Sequence, residues 1–253
     1  MLRAAPAMQA VMRLDPGTSR EHQEDHAGVF PELDLAIVAD GMGGHSSGDR
    51  AAILTVTVVA QSVHPWGAVP WPPDRSPAEH PLVMAIHLAN LSIVEDSTVH
   101  QGRKGQGSTV VAVQRAGDGV VIAHVGDSRV HRFRGGVLEQ MTEDHSLLNE
   151  YIRLKGLTPE EIEAFPHKRV ITRALGMMAT VEVDVRFERL APGDLFLLCS
   201  DGLELALDRD MITAIMARGE SVEATADRML AEALRRGAPD NLSIALACWP
   251  GVG

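Results

Sequence analysis

Basic charge, cysteine and long apolar runs are scarce in this sequence, and each scarcity closes off a class of function. The 253 residues carry a formal net charge of -11. That argues against a nucleic-acid surface or a basic membrane patch, since either needs Lys and Arg clustered against phosphate. A cationic or metal-bound partner fits better, because acids gathered in one place repel one another unless cations neutralise them. No stretch of about eighteen apolar residues is found, so no bilayer span is expected. Residues Met1 to Ala10 lack the apolar centre of a secretory signal, and the expected location is cytoplasmic. Only two cysteines occur, Cys199 and Cys248, each closing an apolar run. Reduced, buried thiols are expected; a redox role for Cys199, two residues before Asp201, would need exposure and nearby positive charge.

What the chain does have is apolar material, 45% of its residues, enough for a large core in a single domain spanning 1–253. Short Val/Ile/Leu-rich segments bounded by Gly, Asp or Pro read as strands: Ala10–Leu14, Ala27–Phe30, Leu33–Ala39, Thr109–Gln114, Val120–Val125, Val130–Phe133, Val181–Phe187, Asp194–Cys199 and Leu242–Cys248. Gly117-Asp118-Gly119 and Gly135-Gly136 read as hairpin turns, which makes their neighbours antiparallel. Helices are expected over Gly48–Ser62, Leu82–Val99, Ser146–Lys155, Pro159–Ala164, Asp210–Arg218 and Val222–Arg236. Thr158-Pro159-Glu160-Glu161 supplies a cap, a proline at the first helical position and a glutamate three residues after the cap. Between His64 and Pro81 lie six of the fourteen prolines and two of the three tryptophans. This reads as an irregular surface loop, its tryptophans packing on their own scaffold or meeting a partner.

The chemistry-bearing segments share one form, an apolar strand that delivers an acid into a glycine turn. Leu35 to Ala39 ends in Asp40-Gly41-Met42-Gly43-Gly44-His45, and Leu195 to Ser200 ends in Asp201-Gly202. Glycine there lets backbone approach a ligand. Ala238-Pro239-Asp240-Asn241 places a third acid just before the last strand. Ser19-Arg20-Glu21-His22-Gln23-Glu24-Asp25 sets an arginine before a Glu-Asp pair, and Val125-Gly126-Asp127-Ser128-Arg129 is another strand end. Each acid alone is explicable as a turn residue. Together, without clustered His or Cys, they suit hard cations such as magnesium or manganese. Arg20 is also spaced to pair with Glu24 or Asp25, Asp127 can cap its turn, Arg129 reads as structural, and Asp194, after Pro192-Gly193, reads as a turn residue.

In this order, Arg20-x3-Glu24-Asp25, Ala39-Asp40-Gly41-Met42-Gly43-Gly44, Gly107-Ser108-Thr109, Gly126-Asp127-Ser128-Arg129, Cys199-Ser200-Asp201-Gly202 and Pro239-Asp240-Asn241 resemble the motifs of metal-dependent protein phosphatases of the type 2C family. The resemblance runs from Val11 to Ala247, in the manner of the compact bacterial members. It implies an α+β fold of two antiparallel sheets packed face to face, with helices on both outer sides and a flap over about 142–176. It implies that Asp40 bridges two Mn2+ or Mg2+ ions, that Asp201 and Asp240 bind the first, and that the Gly41 carbonyl binds the second. Glu24 and Asp25 would support the second ion, and Asp127 with Asp201 would hold a third, weaker one.

The implied activity is hydrolysis of phosphoserine and phosphothreonine on proteins by a metal-activated water, opposing a bacterial Ser/Thr kinase. Two metals about 3.5 to 4 Å apart can both activate water and neutralise developing charge, while Arg20 binds phosphoryl oxygens through its planar fork. No Cys-x5-Arg or nucleophilic aspartate motif occurs, so no covalent phosphoenzyme is expected. Animal relatives carry a histidine where this chain has Met42; His45 or a metal-bound water then stands as the proton donor. A monomer that binds phosphoproteins, and neither nucleic acid nor membrane, is expected.

Overall fold

Alternation along the strands sorts the apolar side chains into three separate cores. The computed structural model describes residues 8–43, 47–65, 72, 74–100 and 105–250. Its strands are β1 (Gln9–Asp15), β2 (Asp25–Phe30), β3 (Leu35–Met42), β4 (Gly107–Ser108), β5 (Val110–Ala116), β6 (Gly119–Val125), β7 (Arg129–Arg134), β8 (Val137–Gln140), β9 (Asp184–Arg189), β10 (Leu195–Cys199) and β11 (Leu242–Cys248). The helices are α1 (Ser47–Ser62), α2 (Pro81–Val99), α3 (Leu147–Lys155), α4 (Pro159–Ala164), α5 (Asp201–Ala206), α6 (Arg209–Met216) and α7 (Val222–Arg235). One sheet runs β1-β11-β10-β7-β8 and the other β2-β3-β5-β6-β9, with β4 paired to β3. All pairings are antiparallel.

Because strand side chains point alternately to opposite faces, Leu35, Ile37 and Ala39 of β3 join Val110, Ala112, Val121 and Ala123 under α1 and α2. The intervening Ala36 and Val38 meet Phe196, Leu198, Ala245 and Ala247 of the facing sheet. Leu197, Cys199, Ile244 and Leu246 point the other way, to residues of α5, α6 and α7 such as Leu203, Ile212 and Met229. Each fully buried aliphatic side chain contributes about 1.5–3 kcal/mol. The layers are therefore helices, sheet, sheet, helices, as expected.

Three sequence expectations need correction. β9 begins at Asp184, three residues later than Val181, and β8 and α5 were not anticipated. Helix α2 is long and apolar enough to cross a membrane by length and composition, which a search for one apolar stretch does not register. In the fold it packs on α1 and buries Leu82, Ile86, Ala89 and Ile93, together with the polar Asn90 and Asp96. The helix at 159–164 starts as expected, with Thr158 accepting the Glu161 N–H and Glu161 accepting the Thr158 N–H. Of the Pro/Trp-rich loop, residues 66–71 and 73 lie outside the described residues, as does His45.

Candidate active site

Strand parity carries the acids to one edge of the space between the sheets. Asp40 follows Ala36 and Val38 on the inter-sheet face of β3, and Asp25 lies opposite it in the β2–β3 register. The Asp40 backbone is locked by Thr109, whose Oγ1 accepts its N–H at 2.9 Å and whose N–H donates to its carbonyl at 2.8 Å. A Cβ on Gly41 would lie 2.1 Å from the Gly48 carbonyl oxygen, so only glycine allows the start of α1 to approach the strand so closely. Likewise a Cβ on Gly202 would lie 1.9 Å from the Asn241 carbonyl oxygen. That close approach sets Asp201, the first residue of α5, beside Asp240.

Arg20 reaches the cluster by an unexpected contact. Its Nη2 donates to Asp240 Oδ2 at 2.7 Å, so it pairs with neither Glu24 nor Asp25. Asn241 makes this possible. It accepts the Glu24 N–H at 2.8 Å and donates to the carbonyls of Pro16 and His22 at 3.0 and 2.9 Å, tying the whole 16–24 loop to the segment that carries Asp240. Asp25 is tied across the sandwich. One carboxylate oxygen accepts from the Ser200 and Ser243 hydroxyls at 2.6 and 2.5 Å, which joins β2 to the opposite sheet and steadies the residue that precedes Asp201.

The electrostatics show an acid cluster short of positive charge. Burial, and then Asp25, Asp201, Asp127 and Asp240, push the Asp40 carboxyl well above the usual carboxylate range. Burial followed by Asp201 and Asp144 raises Asp127 to about 7. Burial raises Asp25 to about 6, against its two serine hydrogen bonds and with help from Asp201 and Asp240. Asp201 and Glu24 are raised too, first by burial. Oε1 of Glu24 and Oδ1 of Asp127 are buried with no hydrogen-bond partner, and a buried unpaired carboxylate oxygen is costly. Asp127 and Asp201 open onto a cleft of about 280 Å³ that is also lined by Arg129, Asp144, Lys168 and Arg169.

A separate cleft of about 420 Å³, lined by Ile122, His124, Met141, Glu143 and Arg186, holds none of the clustered acids.

Comparison with known proteins matches residues 19–249 to the model of the family described as Protein phosphatase 2C. The chain belongs to the protein phosphatase 2C family. A "Serine/threonine phosphatase stp" of Listeria monocytogenes is 36% identical over 242 residues, covering 94% of this chain and 95% of the Listeria protein. The crystal structure of the serine/threonine phosphatase Stp1 from Staphylococcus aureus superposes with a TM-score of 0.85 at 28% identity, covering 99% of this chain and 98% of that one. The catalytic domain of the serine threonine protein phosphatase PstP, in complex with two manganese ions, superposes with a TM-score of 0.78 at 30% identity, covering 95% and 97%.

Within this 2C-family fold the other sequence readings fall into place. Asp194 accepts the Ala191 N–H at 2.9 Å and pairs with Arg134, so it holds its turn and stays out of the cluster. Arg129 pairs with Asp144 at 2.6 Å and with Glu204. Cys199 is fully buried, and burial pushes its thiol well above the ordinary value. The flap carries α3 and α4, and its two ends meet where Ser146 bridges Ile171. Sequence reasoning missed the roles of Asn241 and Thr109, both of which lie inside the quoted motifs. Their position next to Asp240 and after Gly107-Ser108 was the available signal.

Proposed function

We propose that this protein phosphatase hydrolyses phosphoserine and phosphothreonine monoesters on proteins, using two divalent cations, manganese or magnesium, and no covalent phosphoenzyme. The observation that carries this reading is the convergence of Asp40, Asp201 and Asp240 from three distant parts of a 2C-family chain, with Arg20 beside them. The relatives named serine/threonine phosphatases support the substrate class, and the two manganese ions of PstP support the cofactor.

The residues fit such cations. The donors are hard oxygens, the carboxyls repel one another, and two of their buried oxygens have no partner. Asp40 would serve both ions, Asp201 and Asp240 the first, and the Gly41 carbonyl, supported by Glu24, the second. Asp127 with Asp201 would hold a third. Asp25, engaged by two serines, contributes charge and steadies Ser200. Bound cations supply a nucleophilic water near neutral pH and neutralise developing charge. The chain's own part is to orient the phosphoryl group: Arg20 has five N–H donors and keeps Asp240 on one while offering others to phosphoryl oxygens.

We further infer a monomeric catalytic domain spanning 1–253 that works in the cytoplasm against a Ser/Thr kinase. The acidic charge of -11 supports protein rather than nucleic-acid substrates. The test is phosphate release from phosphothreonine and phosphoserine peptides, compared with small phosphate esters at matched Mn2+ and Mg2+ and with chelator. Metal-dependent release from the peptides is expected. Strong preference for the small esters overturns the protein substrate, and turnover that survives chelation overturns the cations.

A further inference from the structure

The Asp127 turn, between β6 and β7, is gripped from two sides. On one side Thr109 Oγ1, which accepts the Asp40 N–H, shares a hydrogen bond of 2.7 Å with Ser128 Oγ. On the other, His145 accepts the Gly126 N–H on Nδ1 at 3.0 Å and donates its own N–H to the Gly126 carbonyl at 2.9 Å. His145 is also a root of the flap. Its carbonyl accepts the Thr172 N–H at 2.9 Å, and the next residue, Ser146, caps α3. The ring is held in turn by stacking on His124, with centroids 4.6 Å apart, and His124 is pinned by donating from Nε2 to the Glu143 carbonyl at 2.8 Å.

We propose that His145 is a positioning residue that acts through Gly126, fastening the Asp127 turn and both ends of the flap into one hydrogen-bonded unit without touching substrate or cation. The proposal rests on the reading of Asp127 as a cation ligand. A backbone N–H can only donate, so Nδ1 carries the lone pair and the neutral ring keeps its proton on Nε2. Nε2 faces Asp184 Oδ1 at 3.4 Å, and Arg173 Nη1, itself 3.1 Å from Nε2, donates to that same oxygen at 2.5 Å; since neither nitrogen can accept from the other, both protons are directed at the Asp184 carboxylate. His124, His145 and Asp184 do offer ligand atoms within 4.8 Å of one another. With the proton on His145 Nε2 and Arg173 on Asp184, the trio is a latch and not a metal site.

Two amide substitutions separate the two ring nitrogens. The side-chain oxygen of Asn stands at the position of Nδ1, and the terminal amide of Gln at that of Nε2. His145→Leu, His145→Asn and His145→Gln are compared by hydrogen exchange of the Gly126 amide in metal-free protein, by the Mn2+ concentration giving half-maximal activity, and by KM. Loss of the bond to Gly126 in the Leu variant should speed exchange by about tenfold and raise the Mn2+ requirement in the same direction, with a smaller effect on KM. The Asn variant should restore both, and the Gln variant should behave like Leu. Gln rescuing as well as Asn, or unchanged exchange in the Leu variant, overturns the proposal. If the Leu variant does not fold, the Asn and Gln pair decides. The exchange measurement needs no turnover, so its outcome is independent of whether the phosphatase reading stands.

Discussion

Two groups of acidic side chains lie at the inter-sheet edges of this sandwich, and only one of them is matched by arginines. Around β7, β8 and β9, Arg129 pairs with Asp144 and Glu204, Arg132 with Glu139 and Glu188, Arg134 with Asp194, and Arg173 with Asp184. Two of these acids, Glu204 and Asp184, are held in the charged form. Although burial opposes it, His131 and Arg129 keep Glu204 below the ordinary carboxylate value, and Arg173 and His145 do the same for Asp184. Among Asp25, Asp40, Asp127 and Asp201 the direction is reversed. The same residue type is structural where the chain supplies its own cation and a candidate ligand where it does not.

Removing the shared acid should break the comparison most severely. Asp40→Asn keeps the shape but lowers the charge at the one position assigned to both ions, and turnover should fall by about a thousandfold or more. Near-normal kcat with Mn2+ present would sink the two-ion assignment.

The second prediction concerns pH. In metal-free protein the folded carboxyls of Asp25 and Asp127 lose their protons near pH 6 and 7, whereas in the unfolded chain they do so near the ordinary aspartate value of 3.8. Between those limits the folded state holds more protons than the unfolded state, so stability falls as pH rises and the loss is complete above about pH 7. The Tm of chelator-treated protein should drop by roughly 5 °C or more from pH 5 to 7.5, and Mn2+ should largely abolish the drop. A flat profile in chelator would mean that the cluster carries no uncompensated charge.

Much of this contrast was legible in the sequence, and the illegible part has a common cause. Asp40 and Asp201 could be read because a strand's apolar pattern and a following glycine are local signals. What sat far apart in the chain could not. Arg20 lies 220 residues from Asp240, and Asp25 lies 175 and 218 residues from the serines that engage it, so no spacing rule announces either pair. The six residues of α5 and the four of β8 are too short to show a period, and the packing of the sheet and of the Asn241 segment fixes them. The latch at His145 was hidden similarly, since its partner at Gly126 offers only backbone.

The two arginines that differ most sharpen the comparison further. Arg129 is mostly buried between two acids, and its alanine variant deprives Asp144 of that cation and leaves Glu204 with His131 alone. A loss of about 2–3 kcal/mol in stability is expected, read as a lower Tm or urea midpoint. An unchanged midpoint would show that the matched side is not held by its pairs.

Arg20 should give the smallest effect on the fold and a selective one on kinetics. Its side chain is 54% exposed and that of Asp240 26%, so the ion pair is largely solvent-screened and contributes little to stability. Arg20→Ala should therefore leave Tm nearly unchanged while raising KM for a phosphopeptide by about tenfold, because the lost fork bound phosphoryl oxygens before and during reaction. Arg20→Lys keeps the charge but not the fork and should recover only part of the loss. Unchanged KM in the alanine variant would return Arg20 to the structural group, leaving the cluster with no cationic side chain assigned to substrate.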